Sequence, residues 1–280
     1  MAVSFTVTQR QRLAALGASG AEAEQSFADA PARDAAFRAI EAAHARLAEQ
    51  RLRRLLSETR ATETFRIEQA LTEWLIAAEG FTRISTPTII SAAMLDKMTI
   101  TEDNPLRDQV FWLDQNRCLR PMLAPNLYIV MRALRKITRA PVKIFEAGSC
   151  FRKESQGAEH MNEFTMLNLV EFAGTADGRQ GERLEALAHA AMQAAGIVQY
   201  ELVKEQSAVY GETLDIVAGG VEIASGSYGP HPLDGNWGVF EPWVGLGIGL
   251  ERIALVKGGH RTIKRVGRSV AFLDGASLHV

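Results

Sequence analysis

The chain has 280 residues, 47% of them hydrophobic and 23% charged, which is the composition of a globular protein that buries a core. Its formal net charge of −2 excludes a global electrostatic attraction to nucleic acid or to a membrane surface, although a local basic patch would escape this count. The two cysteines, Cys118 and Cys150, lack the spacing of metal ligands. Neither a signal peptide nor an apolar run of bilayer length is evident, so we expect a cytoplasmic protein with no membrane partner.

Residues 1–60 predict a helical N-terminal arm. They are rich in Ala, Arg and Glu, and the stretch AHARLAEQRLRRLL predicts an amphipathic helix because its apolar residues recur at helical spacing. Arg51, Arg53 and Arg54 lie on its outer face. A solvated helix surface and a contact with a polyanion both account for these arginines, and the sequence leaves that choice open.

The remaining residues, 61–280, predict one larger domain that begins with a second helix. This helix is expected from Thr64, as its N-cap, to Ala78, with Gly80 as its C-terminal stop. The stretch FTRISTPTII follows and is rich in β-formers, but Pro87 restricts it to an edge or boundary position. Such a strand suits a subunit interface.

Short strands predominate from about residue 109 onward. Helices are predicted at 125–137 and 181–195 between them. The predicted strands lie in QVFWL, VKIFEAGSCFR, EFTMLNLVEFA, YELVKE, LDIVAGGVEIASGSYG and VFEPWVGLGIGL. This order predicts an α+β fold, a mixed and mostly antiparallel sheet flanked by helices.

The stretch CFRKESQGAEHMNEFTML contains a first group of residues suited to nucleotide chemistry. Arg152 and Glu154 are two residues apart and point the same way on a strand. A hairpin would bring His160 and Phe164 back towards Arg152. An arginine neutralises a phosphate through paired hydrogen bonds, and an aromatic ring stacks on a purine. Taken alone, the stretch is more typical of a surface hairpin with a routine ion pair.

The stretch GVEIASGS contains a second, weaker group. Glu222 and Ser225 offer a carboxylate and a hydroxyl, the hard oxygen ligands that Mg²⁺ uses beside substrate phosphates. A purely structural role is the commoner explanation for such a pair on its own.

The stretch GLGIGLER places Gly245, Gly247 and Gly249 on one face of a strand, because the side-chain period of a strand is two. The spacing matches neither common glycine fingerprint for phosphates or dinucleotides. A bare strand face suits a flat adenine ring, and Arg252, at the start of a following helix, would cover the ring's other side. A β-bulge is the alternative explanation.

Taken together, these stretches resemble the three signature motifs of the class II aminoacyl-tRNA synthetases. The first motif, a dimer-interface element, matches the helix ending at Gly80-Phe81 and the stretch that continues to Pro87. The second matches Phe151-Arg152-Lys153-Glu154 with His160 and Phe164, and the third matches Gly245 through Arg252. From about residue 64 onward the chain resembles more narrowly the catalytic domain of the pyrrolysyl-tRNA synthetases, in MTITEDNPL, RPMLAPNLY, VKIFEAGSCFRKES, EFTMLNLV, EPW and GLER. ARDAAF resembles the subgroup that lacks a separate N-terminal tRNA-binding domain.

This resemblance implies a homodimeric class II synthetase catalytic fold that uses ATP and Mg²⁺. The implied reaction activates pyrrolysine, or a similar Nε-acyl-lysine, as an aminoacyl-adenylate and transfers it to an amber-suppressor tRNA. The implied catalytic residues are Arg152, Glu154 and Arg252, and the implied metal ligands are Glu222 and Ser225. The implied ATP-binding residues are Arg152, Glu154, His160, Met161, Phe164, Glu222, Ser225, Gly249 and Arg252.

The resemblance also implies a deep apolar pocket for the amino acid. Asn168 would bind the side-chain amide of the acylated lysine, and Tyr210 would cover its pyrroline ring. The implied pocket residues are Ala124, Leu127, Tyr128, Met131, Asn168, Val170, Tyr210, Trp243 and Gly245. A non-catalytic synthetase-like regulator and a ligase for another bulky amino acid such as phenylalanine remain the alternatives.

Two features modify these expectations. Gly226, Ser227 and Tyr228 stand where the family has alanine and small aliphatic residues, which leaves the exact amino-acid side chain open. A basic C-terminal segment offers contacts to tRNA phosphates or a solvated helix face; its members are Lys257, Arg261, Lys264, Arg265 and Arg268.

Overall fold

The computed structural model describes residues 2–58, 61–153, 157–158 and 160–279, which form two compact units. One unit combines the residues up to 63 with those from 264 onward, and the other consists of residues 64–263. The division into 1–60 and 61–280 follows chain order and stays a prediction, whereas the first compact unit is discontinuous in sequence.

The helices and strands of the described residues are numbered separately in chain order. The first are β1 Val3–Ser4, α1 Val7–Leu16, α2 Gly20–Ala23, β2 Ser26–Phe27, α3 Ala30–Ser57, α4 Glu63–Ala77, β3 Thr82–Arg83, β4 Ile89–Ser91, α5 Ala92–Lys97 and β5 Arg117–Leu119. The others are α6 Ala124–Arg135, β6 Val142–Phe151, β7 Glu163–Phe172, α7 Gln180–Ala195, β8 Glu201–Ser207, β9 Gly211–Ala218, β10 Val221–Gly229, β11 Trp243–Gly249, α8 Leu250–Lys257, β12 Phe272–Leu273 and β13 Ala276–Ser277. Short 3₁₀ helices occur at Pro105–Arg107, Pro232–Trp237 and Ile263–Arg265.

Helix α3 confirms the helix predicted for the N-terminal arm, but the predicted apolar face is incomplete, because Leu47 and Leu56 are exposed. Asp29 caps it by accepting a hydrogen bond from the Ala32 amide at 2.9 Å, and Pro31 lies in its first turn. Phe5 and Leu13 form a small buried core on which α3 packs. The arm therefore has a hydrophobic core of its own.

Arg265 is not available for contact with phosphate, so this member of the predicted basic segment is corrected. The side chain is buried, with Nη1 donating to the Gly275 carbonyl at 2.8 Å. Its Nη2 donates to the Ala14 and Ala15 carbonyls, at 3.3 Å each, in the last turn of α1. The guanidinium is occupied because helix ends leave carbonyl groups that need donors.

Helix α4 begins one residue before the predicted N-cap. Thr64 lies inside the helix, and the amide of Glu63 donates to the Asp274 carboxylate at 2.7 Å. The amide of the first helical residue is therefore bonded to an acid distant in sequence. The predicted stop is confirmed, because Gly80 has a φ of +71° and the Phe81 amide donates to the Leu75 carbonyl at 2.9 Å.

A seven-stranded sheet in the order β3-β6-β7-β11-β10-β9-β8 organises the described part of the larger unit. β3 pairs with β6 in parallel and the other neighbours are antiparallel, which confirms the predicted mixed, mostly antiparallel sheet. Helix α6 packs on β6 and β7, and α7 packs on β10 and β11. Helices α6 and α7 confirm the two predicted at 125–137 and 181–195.

The predicted strand QVFWL is wrong. It is reduced to one bridge between Trp112 and Cys118, because the chain turns back at once and the Leu113 amide donates to the Arg117 carbonyl at 2.9 Å. The apolar alternation of this stretch reflects burial of Val110 rather than a place in the sheet. Within the described residues, no helix combines the length and apolarity that crossing a bilayer would require.

Candidate active site

A cavity of about 410 Å³ lies over the central strands of the larger unit, a volume suited to a small-molecule ligand. Every predicted site residue that the structure describes contributes to its lining. The predicted Glu154 lies outside the described residues. The predicted residues in the lining are Ala124, Leu127, Tyr128, Met131, Arg152, His160, Met161, Phe164, Asn168, Val170, Tyr210, Glu222, Ser225, Trp243, Gly245, Gly249 and Arg252.

The sheet register explains the floor of this cavity. Gly247 pairs with Asn168 on β7 and with Ser225 on β10. A Cβ at Gly247 would lie 3.1 Å from Asn168 Nδ2 and 3.2 Å from Met166 Cε, so a side chain there would press on both neighbours. Because the glycines of β11 carry no side chains, the cavity reaches the backbone of this strand between the side chains of β7 and β10.

A β-bulge brings Glu222 and Ser225 to the same cavity. Residues three apart on a regular strand face opposite sides, but the register with β9 shifts between Glu222, which pairs with Val217, and Ala224, which pairs with Ile216. The extra residue, Ile223, reverses the alternation. This local irregularity is what the sequence pattern alone did not reveal.

Asp215 completes an oxygen-rich group that sequence reasoning missed. Ser225 Oγ donates to Asp215 Oδ1 at 2.6 Å, and both residues line the cavity near Glu222. The available signal was an acid within the apolar strand sequence TLDIVA. Partial burial raises the pKa of Glu222, Arg252 opposes this shift, and the charge of Asp215 adds to it.

Asp215, Glu222 and Ser225 offer oxygen ligands of the kind that a divalent metal ion prefers. Among the described residues, no group of three His, Cys, Asp or Glu side chains forms a closed metal cage. Two carboxylates and a hydroxyl fit instead a Mg²⁺ ion that takes its other ligands from substrate phosphates and water.

Two arginines enter the cavity from different elements. The Arg152 guanidinium lies 5.3 Å from the Phe164 ring centroid, and its Nε donates to the Pro121 carbonyl at 2.9 Å. Arg252 Nη1 donates to the Glu222 carbonyl at 2.8 Å and lies 3.3 Å from Glu222 Oε1. Both cations can therefore face a polyanionic ligand above the glycine floor.

The buried Glu251 fixes the start of α8 and so the position of its neighbour Arg252. Both carboxylate oxygens accept from the Thr165 amide at 2.9 Å, which ties α8 to β7. A carboxylate that is almost completely buried requires such partners. The pairing makes the base of Arg252 rigid although its guanidinium is partly exposed.

Asp234 organises the opposite, apolar end of the cavity. Its carboxylate accepts from the Tyr128 hydroxyl at 2.8 Å, from Trp243 Nε1 at 2.8 Å and from the His231 amide at 2.6 Å. Burial raises the pKa of the Tyr128 and Tyr210 hydroxyls, so both remain protonated donors. Sequence reasoning missed Asp234, because PLDGNW carries no periodic signal of a buried acid.

Asn168 supplies a polar group beside this apolar wall. Its Oδ1 atom is buried and has no hydrogen-bond partner within the described residues. An orphaned amide oxygen carries a desolvation cost that a ligand donor would relieve. The arrangement suits a ligand with a polar, uncharged group along an otherwise apolar side chain.

The comparisons with known proteins agree with this geometry. The family described as tRNA synthetases class II core domain (F) matches residues 53–184. A solved structure of a pyrrolysyl-tRNA synthetase from Desulfitobacterium hafniense is 45% identical, with a TM-score of 0.89 over 99% of this chain and 96% of that chain. A second structure of pyrrolysyl-tRNA synthetase from the same organism is 47% identical, with a TM-score of 0.92 and full coverage of both chains.

Proposed function

The chain belongs to the pyrrolysyl-tRNA synthetase family of class II aminoacyl-tRNA synthetases, and from this membership we propose that it charges an amber-suppressor tRNA with pyrrolysine or a similar Nε-acyl-lysine. It is a ligase that aminoacylates tRNA. One observation supports the substrate above all. The orphaned Asn168 oxygen lies in a cavity whose far end is apolar and whose near end is cationic.

In the proposed first reaction, the amino-acid carboxylate attacks the α-phosphate of ATP and pyrophosphate leaves. Arg152 stabilises the developing charge on the α-phosphate, while His160 and Arg252 hold the β- and γ-phosphates. The adenine lies on the glycine floor between Phe164 and Arg252. These residues act by positioning and charge compensation, and no covalent bond to the protein is required.

Glu222 and Ser225, with Asp215 beside them, are proposed to hold Mg²⁺. The ion would supply charge neutralisation to the phosphates when bound. The Ser225 hydroxyl donates a hydrogen bond to Asp215, which leaves the lone pairs of the Ser225 oxygen available to bind the ion. Met161 and Gly249 border the nucleotide end, and Glu154 is assigned to it by family resemblance alone.

The amino-acid side chain is proposed to run from Asn168 into the apolar end. Asn168 binds its amide, and Tyr210 covers the ring. The walls are Ala124, Leu127, Tyr128, Met131, Val170 and Trp243, with Gly245 as floor. Free lysine would place an ammonium in this apolar end without a partner and is expected to be rejected.

The tRNA is proposed to contact the N-terminal arm through Arg51, which is exposed on α3.

Two copies of the chain are proposed to pair near Pro87. Phe65, Ile76 and Ile89 are exposed apolar side chains of the first-motif region, which supports burial against a second copy. Light scattering that gives a monomer mass at working concentration would contradict the dimer. We place the reaction in the cytoplasm, where translation consumes charged tRNA.

Amino-acid-dependent ATP–pyrophosphate exchange tests the substrate proposal, with pyrrolysine, acylated lysines, lysine and phenylalanine as the panel. We expect exchange with pyrrolysine or acylated lysines and background rates with lysine and phenylalanine. Acylation of the cognate suppressor tRNA is the second readout. Phenylalanine as the preferred substrate, or robust exchange without tRNA acylation, would refute the proposal.

A further inference from the structure

Gly226, Ser227 and Tyr228 follow one another on β10 but face different surroundings. A Cβ at Gly226 would lie 2.5 Å from Leu184 Cδ1, and the Tyr228 ring lies beside Gly181; both neighbours belong to α7. Successive side chains of a strand point to opposite faces, so Ser227 faces away from α7 and lines the cavity. Of the three, Ser227 alone brings a polar side chain to the amino-acid end.

The Ser227 hydroxyl lines the cavity and is free to bind a ligand. The residue is 8% exposed and pairs with Gly245, which pairs in turn with Val170. Within the described residues its hydroxyl makes no hydrogen bond, whereas the hydroxyl of Ser225 is bonded to Asp215. A ligand that covers this hydroxyl removes it from water, which is unfavourable unless the ligand offers it a hydrogen-bond acceptor.

The position of Ser227 along the sheet indicates which part of the substrate it meets. Ser225, Gly247 and Asn168 form one cross-strand row, and Ser227 lies in the next row, about 7 Å farther from Arg252. If the phosphates bind near Arg252 and the amide near Asn168, the group that reaches Ser227 is the acyl portion beyond the amide.

We propose that Ser227 is a specificity-determining residue whose hydroxyl binds a ring nitrogen or oxygen in the acyl group of the substrate. This inference rests on the proposed function, and it narrows the substrate class to Nε-acyl-lysines with a hydrogen-bond acceptor on the acyl ring. A hydrocarbon ring of the same shape would leave the hydroxyl unsatisfied.

Two matched substrates test this inference in pyrophosphate exchange. They are Nε-acyl-lysines bearing a tetrahydrofuran ring or a cyclopentane ring, which differ by one ring oxygen in place of a methylene. We expect the unaltered protein to prefer the ether ring by about three- to tenfold in kcat/KM. Ser227→Ala should bring the preference close to unity, and Ser227→Cys, which keeps the size with a weaker donor, should give an intermediate value.

Tyr228→Phe is the matched control, because it removes a hydroxyl from the next residue on the other face and should keep the preference of the unaltered protein. Equal use of both rings by the unaltered protein, or an unchanged preference in folded Ser227→Ala, overturns the role of Ser227 and leaves the proposed function intact. Failure of the unaltered protein to activate either substrate or pyrrolysine overturns both.

Discussion

The Asp234 carboxylate lies 2.8 Å from the Tyr128 hydroxyl and holds Trp243 through its other oxygen. One buried charge therefore fixes two walls of the amino-acid end, a helix residue from α6 and a strand residue from β11. The Tyr128 ring stacks on Trp237 at a centroid distance of 5.2 Å, which extends the same support to the 3₁₀ helix that carries Asp234.

Asp234→Asn should loosen this end of the cavity. The side-chain nitrogen of Asn cannot accept a hydrogen bond, so the donors that face it lose their partner and the protein loses about 1–3 kcal/mol of stability. The KM for the amino acid should rise, with little change in the KM for ATP. Thermal unfolding and exchange kinetics measure the two effects. Asp103→Asn, at an exposed aspartate, is the control, and an unaltered amino-acid KM in Asp234→Asn would contradict the role.

Asn168→Ala should weaken the activation of amide-bearing substrates selectively. The expected loss is at least about tenfold in kcat/KM, because the substrate amide would be buried without its partner. An analogue in which two methylene groups replace the amide should lose little. Exchange assays on both substrates supply the comparison, and equal losses for the two would refute the assigned contact.

Glu222 predicts a pH-dependent metal requirement. Partial burial raises its pKa, so protons compete with Mg²⁺ at a higher pH than for an ordinary carboxylate. The Mg²⁺ concentration for half-maximal exchange should rise as the pH falls towards the raised pKa, and excess Mg²⁺ should restore activity. Glu212→Gln, at an exposed glutamate on β9, should keep this dependence.

The raised pKa of Glu222 also predicts how the stability of the metal-free protein depends on pH. A carboxyl group whose pKa is raised on folding binds its proton more tightly in the native state. The free energy of unfolding therefore falls as the pH rises through the interval between the ordinary and the raised pKa. Glu222→Gln should remove this contribution and abolish metal-dependent exchange. A pH-independent Mg²⁺ requirement in the unaltered protein would contradict the assignment of Glu222 as a ligand.

The buried ion pair between Arg120 and Glu146 predicts a large effect on stability. Their side chains are 3% and 1% exposed and 2.7 Å apart, and Glu146 also accepts from the Thr86 hydroxyl. Glu146→Ala leaves a buried guanidinium without its charge partner and should cost about 3–5 kcal/mol. Glu49→Ala, which breaks an exposed pair with Arg53 on α3, should cost about 0.5 kcal/mol or less. Denaturant unfolding measures both, and similar losses would refute the distinction.

Local patterns predicted much of this molecule, because they need no knowledge of distant residues. The alternation of Gly245, Gly247 and Gly249 predicted β11, and the apolar period predicted the helix α3. The roles assigned to individual site residues came from family resemblance and stay predictions. What the sequence did not reveal depends on pairing between strands. The bulge at Ile223, the bond between Ser225 and Asp215 and the place of Asp234 all arise from tertiary contacts.

Arg51, Arg53 and Arg54 on α3 are not equivalent as candidate contacts for tRNA. Arg53 pairs with Glu49 at 2.7 Å and Arg54 pairs with Glu58 at 2.8 Å, so nearby carboxylates already offset their charges. The charge of Arg51 is less compensated. Desolvation is the main cause that lowers the pKa of the buried Arg265, and the charge of Arg51 lowers it further. If α3 contacts tRNA phosphates, Arg51 should carry more of that contact than Arg53.

Arg51→Ala should weaken tRNA binding and reduce the slope of log K against log salt by about one, the loss of one phosphate contact. Arg53→Ala is the matched control and should change the slope less, because its pair with Glu49 must break before it binds a phosphate. Filter binding across a salt series measures the slopes, and amino-acid-dependent pyrophosphate exchange, which needs no tRNA, should be the same in both variants. Equal slopes for Arg51→Ala and the unaltered protein would exclude this face of α3 from the tRNA interface.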